Sequence, residues 1–165
     1  MRIIAGFIEP QDGSILWKDT CIFKNLGIFQ QQIQYMGHQN GIKHHLTLYE
    51  NCQLSSMLVK NKPSPSIINK VLEQTGLSSF KHIKARQLSE GQRRRFVLAR
   101  LLLNPAPFWI LDEPLSSLDS DGQHLFYGIL NQHLSHHGIA VIATHQNCEV
   151  SHPMKTIYLG LPYDT

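Results

Sequence analysis

Two short, wholly apolar runs, separated by enough chain for one helix, set what this sequence can fold into. Phe108-Trp109-Ile110-Leu111 stops at two acids, Asp112-Glu113, and Ile139-Ala140-Val141-Ile142-Ala143 stops at Thr144-His145. Strands with no polar alternation belong in a parallel sheet covered on both faces. Parallel neighbours need a crossover of a dozen or more residues, usually a helix. The stretch from about Asp119 to His136 reads as that helix, closed by Gly138. Strand, helix, strand is the α/β pattern. The chain has 165 residues, 42% of them hydrophobic, and a net charge of +3; its mean hydropathy is -0.19. These values allow a packed core and exclude disordered and collagenous classes. Apolar stretches such as Phe96–Ala99 and Leu101–Leu103 fall far short of the ~20 residues that cross a bilayer.

The first half is read by the same rules. Ile3, Ile4 and Phe7 resemble the last turn of a helix, and Glu9-Pro10-Gln11-Asp12-Gly13 is turn chemistry. Strands are expected over Ser14–Lys18 and Ile33–Met36. Apolar residues at helical spacing predict helices over Glu50–Lys60 and Ile67–Leu77, with Asn61–Ser66 as the linker between them. Ser89 can cap a helix running to about Leu103, stopped by Asn104-Pro105-Ala106-Pro107. Lys155–Leu159 is expected as a further strand. The start carries one basic residue and few apolar ones, so it does not read as a secretory signal. Cys21, Cys52 and Cys148 are odd in number and far apart, which points to packed, reduced thiols in a cytosolic protein.

Ligands of a parallel α/β sheet bind beyond the carboxyl ends of its strands. Two polar outcrops fall there, Asp112-Glu113 and His145. One acid can hold Mg²⁺ through water, and its neighbour can orient or deprotonate an attacking water; the plain alternative is a pair of solvated loop acids. In Leu88-Ser89-Glu90-Gly91-Gln92, a serine cap and an early glycine leave open N–H groups at a helix start, which suits phosphate. The plain alternative there is an ordinary capped helix with a basic face. Arg93-Arg94-Arg95, without interleaved aromatics, read as that solvated face or as nucleotide-side contacts, and the mild charge gives no nucleic-acid partner. His133, His136 and His137 share a helix end and could bind zinc, but their charge also suits the helix dipole. His44-His45 read as loop, and His38 is not expected to ligate haem.

Taken together, these strings resemble the ABC-transporter ATPases. Leu88–Gln92 is similar to the family's signature motif, with Glu90 at a variable place. Phe108–Glu113 resembles the Walker B strand with its catalytic glutamate, and Ser116-Ser117-Leu118-Asp119 the D-loop. Thr144-His145 resembles the switch histidine, and Gln39 follows its strand as the Q-loop glutamine does. The resemblance implies a P-loop NTPase fold of ABC ATPase type: one domain over 1–165, mostly parallel sheet, with a helical signature subdomain inserted over about 40–100. It implies ATP and Mg²⁺ as ligands. In the implied roles Glu113 is the general base, Asp112 and Gln39 serve the metal, and His145 contacts the γ-phosphate. Ser89 and Gly91 touch the γ-phosphate of nucleotide bound on the opposite subunit, and Gln39, Gln92 and Asp119 are further nucleotide-binding residues. The string Tyr35-Met36-Gly37-His38-Gln39-Asn40-Gly41-Ile42-Lys43, with Leu46-Thr47, Glu50-Asn51 and Gly13–Trp17, is similar to the small ATPases of cytochrome c maturation exporters, for which haem is the implied cargo. The implied partners are membrane subunits, and the implied place is the cytoplasmic face of a bacterial inner membrane.

One family motif is missing. No G-x-x-x-x-G-K-[ST] occurs among these residues, and with it go the backbone cradle and lysine for the phosphates. The sequence is therefore expected to lack the N-terminal strands and phosphate loop of the family. It is expected to be inactive as a homodimer, and able to complete a site only beside a full-length copy. The alternatives are an inactive interaction module or the ATPase of another small bacterial transporter.

Overall fold

The structure, a computed structural model, describes residues 1–38, 40–57 and 62–160. Its centre is a three-stranded parallel sheet in the order β3-β4-β5, formed by Ile33–Met36 (β3), Phe108–Asp112 (β4) and Ile139–Ala143 (β5). Met36 stands opposite Leu111, and Leu111 opposite Ile142. As the apolar runs predict, β4 is covered on both faces. Phe108 and Ile110 pack with Ala5, Ile22, Phe29 and Ile33. Trp109 and Leu111 pack on the other side with Val97, Leu98, Leu101, Phe126, Ile129 and Leu130.

The first face is covered by the amino-terminal segments. Phe7 N–H donates to the Arg2 carbonyl and Gly6 N–H to that of Ile3, both at 3.0 Å. With Gly6 at φ 73°, this is a Schellman closure, the expected last turn of a helix. Next comes a hairpin, Leu16–Trp17 (β1) with Thr20–Cys21 (β2). Its first strand is shorter than the predicted Ser14–Lys18. The second was not predicted, because Lys18-Asp19 form its tight turn at φ 51° and 61°, where Asn-Gly or Asp-Gly is the usual signal. Trp17 stacks on Phe108 with ring centres 5.0 Å apart. Leu26–Gln30 (α1) then leads into β3.

The other face carries Glu90–Leu103 (α4) and Ser120–Ser135 (α5). α4 is buried on two sides. Val97, Leu98 and Leu101 face the sheet, while Phe96, Ala99 and Leu103 pack against Leu48–Ser56 (α2) and Pro65–Gln74 (α3). Thr47 and Glu50 form a capping box that starts α2 two residues before the predicted start. Ser64 caps α3 with Pro65 in its first turn, so Pro65 and Ser66 are helix and not linker. The predicted end of α2 at Lys60 and Asn61 of the linker lie outside the described residues.

Three expectations are corrected. β5 is not fully buried: among the described residues it is the sheet edge, with a neighbour on one side, and Ile139 is 51% exposed. Lys155–Leu159 forms no strand; Tyr158 and Leu159 are each 94% exposed, so its apolar residues stand in solvent. The left-handed residue closing α5 is His137 at φ 62°, not Gly138. Gly138 N–H donates to the His133 carbonyl at 3.0 Å. Its missing side chain leaves room for the His133 ring, which a Cβ there would strike. That ring stacks on Trp109 with centres 3.8 Å apart, and its Nε2 lies 3.2 Å from the Ile139 carbonyl oxygen.

Gly138→Ala is expected to cost about 1–3 kcal/mol through this overlap, read by urea unfolding. Burial also holds the His133 imidazole below its ordinary value, against the hydrogen bond to Ile139. The unfolded chain therefore takes up this proton more readily than the folded one. His133's contribution should be fully present above about pH 6.5 and lost as pH falls through the lowered folded value. In His133→Phe, which keeps the stack, this part of the acid sensitivity should vanish from the unfolding curve.

Candidate functional site

The strand ends bring the expected groups together. Glu113 follows β4 and takes a left-handed backbone, φ 47°, which for a residue with a side chain costs roughly 1–2 kcal/mol. Its N–H donates to the Ala143 carbonyl at 2.8 Å, and its own carbonyl accepts from Arg94 Nη2. This fixes the direction of the side chain. The Glu113 carboxylate meets the Nδ1 of His145, which lies 3.1 Å from each of its oxygens. His145 remains 74% exposed and Glu113 31%, so the pair sits at an open edge. Asp112 is half-buried beside it. Burial first, then the charge of Asp112, pushes up the Tyr35 phenol. Among the described residues no three His, Cys, Asp or Glu side chains gather as a metal site. Two adjacent carboxylates with no third ligand suit Mg²⁺, which keeps waters and takes phosphate oxygens, better than Zn²⁺.

A second cluster lies at the start of α4. Ser89 Oγ accepts from Gln92 N–H at 3.2 Å, and Gln92 Oε1 accepts from Ser89 N–H at 2.9 Å. This capping box leaves the N–H groups of Glu90 and Gly91 as the open donors of the first turn. The loop before α5 is tied to it. Ser117, at φ 61°, donates its hydroxyl to Glu90 Oε1 at 2.8 Å, and a Cβ at Gly91 would stand 3.3 Å from the Ser117 carbonyl oxygen. Asp119 caps α5 through Gly122 N–H and accepts from Arg95 Nη2 at 2.7 and 2.9 Å. The Arg95 guanidinium, then the Gly122 N–H, hold the Asp119 carboxyl below its usual range.

The arginines correct the sequence reading. Arg94 is 2% exposed. It shares a helical stripe with Val97, Leu98 and Leu101, a spacing that marks the buried face and could have flagged it. Its Nη1 donates to the Gly37 carbonyl at 3.2 Å and to Asn40 Oδ1 at 3.4 Å; its Nη2 donates to the Asp112 carbonyl at 3.3 Å and to that of Glu113. Arg100 Nη1 donates to the Asn40 carbonyl at 3.0 Å. Gln39 lies outside the described residues, but its neighbours are thus held from α4. Asn51, 4% exposed, binds Lys43, Leu46 and Thr47 and fixes the chain that follows.

Other candidates do not assemble. His136 Nδ1 turns to the Gln132 carbonyl at 2.7 Å, and His133 faces Trp109. The three thiols are free, and burial pushes Cys52 up to about 12.

A family model described as ABC transporter matches residues 1–116. The cytochrome c biogenesis ATP-binding export protein CcmA of Yersinia pseudotuberculosis is 39% identical over 161 residues, 97% of this chain and 73% of that protein. The corresponding CcmA 2 of Cupriavidus metallidurans is 37% identical over 146 residues, 88% of this chain and 69% of the relative. Among solved structures, a dimeric ATP-binding cassette in a post-hydrolysis state bound to ADP and Pi superposes with a TM-score of 0.76 at 24% identity, over 88% of this chain and 68% of that one. An ABC transporter ATP-binding protein of Pyrococcus furiosus, described as putative, gives 0.73 at 23% identity, over 90% and 74%. These likenesses carry the fold.

Ser89→Ala removes the hydroxyl that receives Gln92 N–H and frees one side of the capping box. It should lower stability by about 1 kcal/mol in urea unfolding, with little change in the unfolding slope.

Proposed function

The chain belongs to the ABC transporter family, and from that premise we propose that it is the ATP-binding subunit of an exporter serving cytochrome c biogenesis, with haem as cargo. The observation that carries the reading is the contact between Glu113 and His145 at the ends of neighbouring parallel strands. The names of the CcmA relatives support the biological setting.

In this reading Glu113 accepts the proton of an attacking water, and its left-handed backbone aims the carboxylate past the sheet. His145 orients Glu113 and reaches the γ-phosphate of ATP through its exposed ring. Asp112, with Gln39, would hold Mg²⁺, which supplies positive charge to the phosphate oxygens. The open N–H groups of Glu90 and Gly91, with Ser89 and Gln92, face nucleotide held by a second subunit, and Asp119 keeps the loop before α5 against them. Partners are a second ATPase subunit and membrane subunits at the cytoplasmic face of a bacterial inner membrane. Among the described residues no helix is long and apolar enough to cross a membrane. The second reading, an interaction module that does not hydrolyse ATP, rests on the lack of G-x-x-x-x-G-K-[ST] in residues 1–165.

Residues 1–165 alone should give no thermal shift with Mg-ATP, because ligand stabilisation scales with occupancy; a rise of several degrees would refute this. Joined behind a segment that carries G-x-x-x-x-G-K-[ST], the chain should hydrolyse ATP. Glu113→Gln in that chimera should lower kcat by roughly 10²–10⁴-fold while ATP still binds. Hydrolysis at the parent rate would remove Glu113 from the base role, and a chimera that binds ATP without turnover would favour the interaction module.

A further inference from the structure

We propose that Arg94 is a positioning residue: its guanidinium holds Glu113 in its left-handed backbone and locks that residue to Gly37 and Asn40, without touching nucleotide. The ladder between β3 and β4 ends at Met36 and Leu111, and that between β4 and β5 ends at Asp112 and Ala143. The next carbonyls, those of Gly37 and Glu113, lie past the last rungs. Buried acceptors without partners are costly; Arg94 supplies a donor to the Gly37 carbonyl and a second donor, beside the Ser116 N–H, to that of Glu113, as well as to the Asp112 carbonyl and Asn40 Oδ1.

The geometry uses what is particular to arginine. One planar fork spans two strand ends: Nη1 serves the segment after β3 and Nη2 the segment after β4. A lysine ammonium is a single point and cannot bridge both. The peptide on the N-terminal side of Glu113 is held by Ala143, and the one on its C-terminal side by the Ser116 N–H, at 3.2 Å, and by Arg94. A strained conformation persists only where its surroundings over-determine it, and on the C-terminal side Arg94 adds to the local turn the one bond that comes from another element. The Arg94 Nε is buried and has no partner among the described residues, so the side chain is placed for its Nη groups. A displaced Glu113 would carry its carboxylate away from His145. Because the same fork grips Gly37 and Asn40, a displacement of either would be felt at Glu113.

The inference rests on reading Glu113 as the base, but its test needs no nucleotide, so the two can fail separately. In Arg94→Met, amide exchange at Glu113 and Ser116–Leu118 should accelerate about tenfold or more, while amides 98–103 of α4 stay protected. The ring Cε1–H resonance of His145 should move toward its position in Glu113→Gln. Arg94→Lys restores the charge but not the fork, and should recover less than half of either change. Should Arg94→Met not fold, Arg94→Gln, which keeps two donors, is read the same way. Unchanged exchange and an unmoved His145 resonance would overturn the proposal. So would full recovery with lysine, which would make the effect one of charge, or loss of protection throughout α4, which would make Arg94 a general structural residue.

Discussion

Everything in this structure hangs on the burial of β4 from both sides. Phe108 and Ile110 turn to one face, Trp109 and Leu111 to the other, and all four are less than 10% exposed. Burying such side chains is worth roughly 1.5–3 kcal/mol each, and the gain requires cover on both faces. The hairpin and the turn at Gly6 cover one, α4 and α5 the other. With the strand fixed, its carboxyl end has one place to go, and Asp112 and Glu113 emerge where the apolar run stops. The site is the end of the core.

α4 couples the two halves of the molecule. One stripe of it meets the sheet, another meets α2 and α3, and its first turn carries the signature residues. Arg94 leaves the sheet-facing stripe to reach the strand ends, Arg95 leaves the helix to reach Asp119, and Arg100 reaches the Asn40 carbonyl. A shift of α4 would therefore be felt at Gly37 and Asn40, at Glu113 and at Asp119 together. Such coupling is what an ATPase needs if the state of nucleotide is to be felt at a membrane partner.

Much of this was legible in the residues. β4 was visible because a strand covered on two sides writes itself as an unbroken apolar run; β5 reads the same way although it is only partly covered. α4 was visible because Ser89 reads as a cap and Asn104-Pro105-Ala106-Pro107 as a stop. What escaped the reading depends on partners distant in sequence. Arg94 sits among two other arginines and looks solvated until Gly37 and Glu113 are brought to it. The hairpin was missed because Lys18-Asp19 adopt a turn that glycine or asparagine usually signals. Lys155–Leu159 has the composition of a strand, but hydrogen-bonded pairing needs a neighbour, which composition does not supply. Gly138 looked like a left-handed cap, whereas the space it leaves is taken by His133.

The central claim is that the start of α4 completes a nucleotide site held by a second subunit. The most direct measurement is sedimentation of this chain mixed with the Cupriavidus relative, whose counterpart of Glu113 is changed to Gln so that bound ATP persists. The account predicts a one-to-one complex with Mg-ATP and separate species with Mg-ADP. Separate species under both conditions, or the same complex with ADP as with ATP, would contradict it.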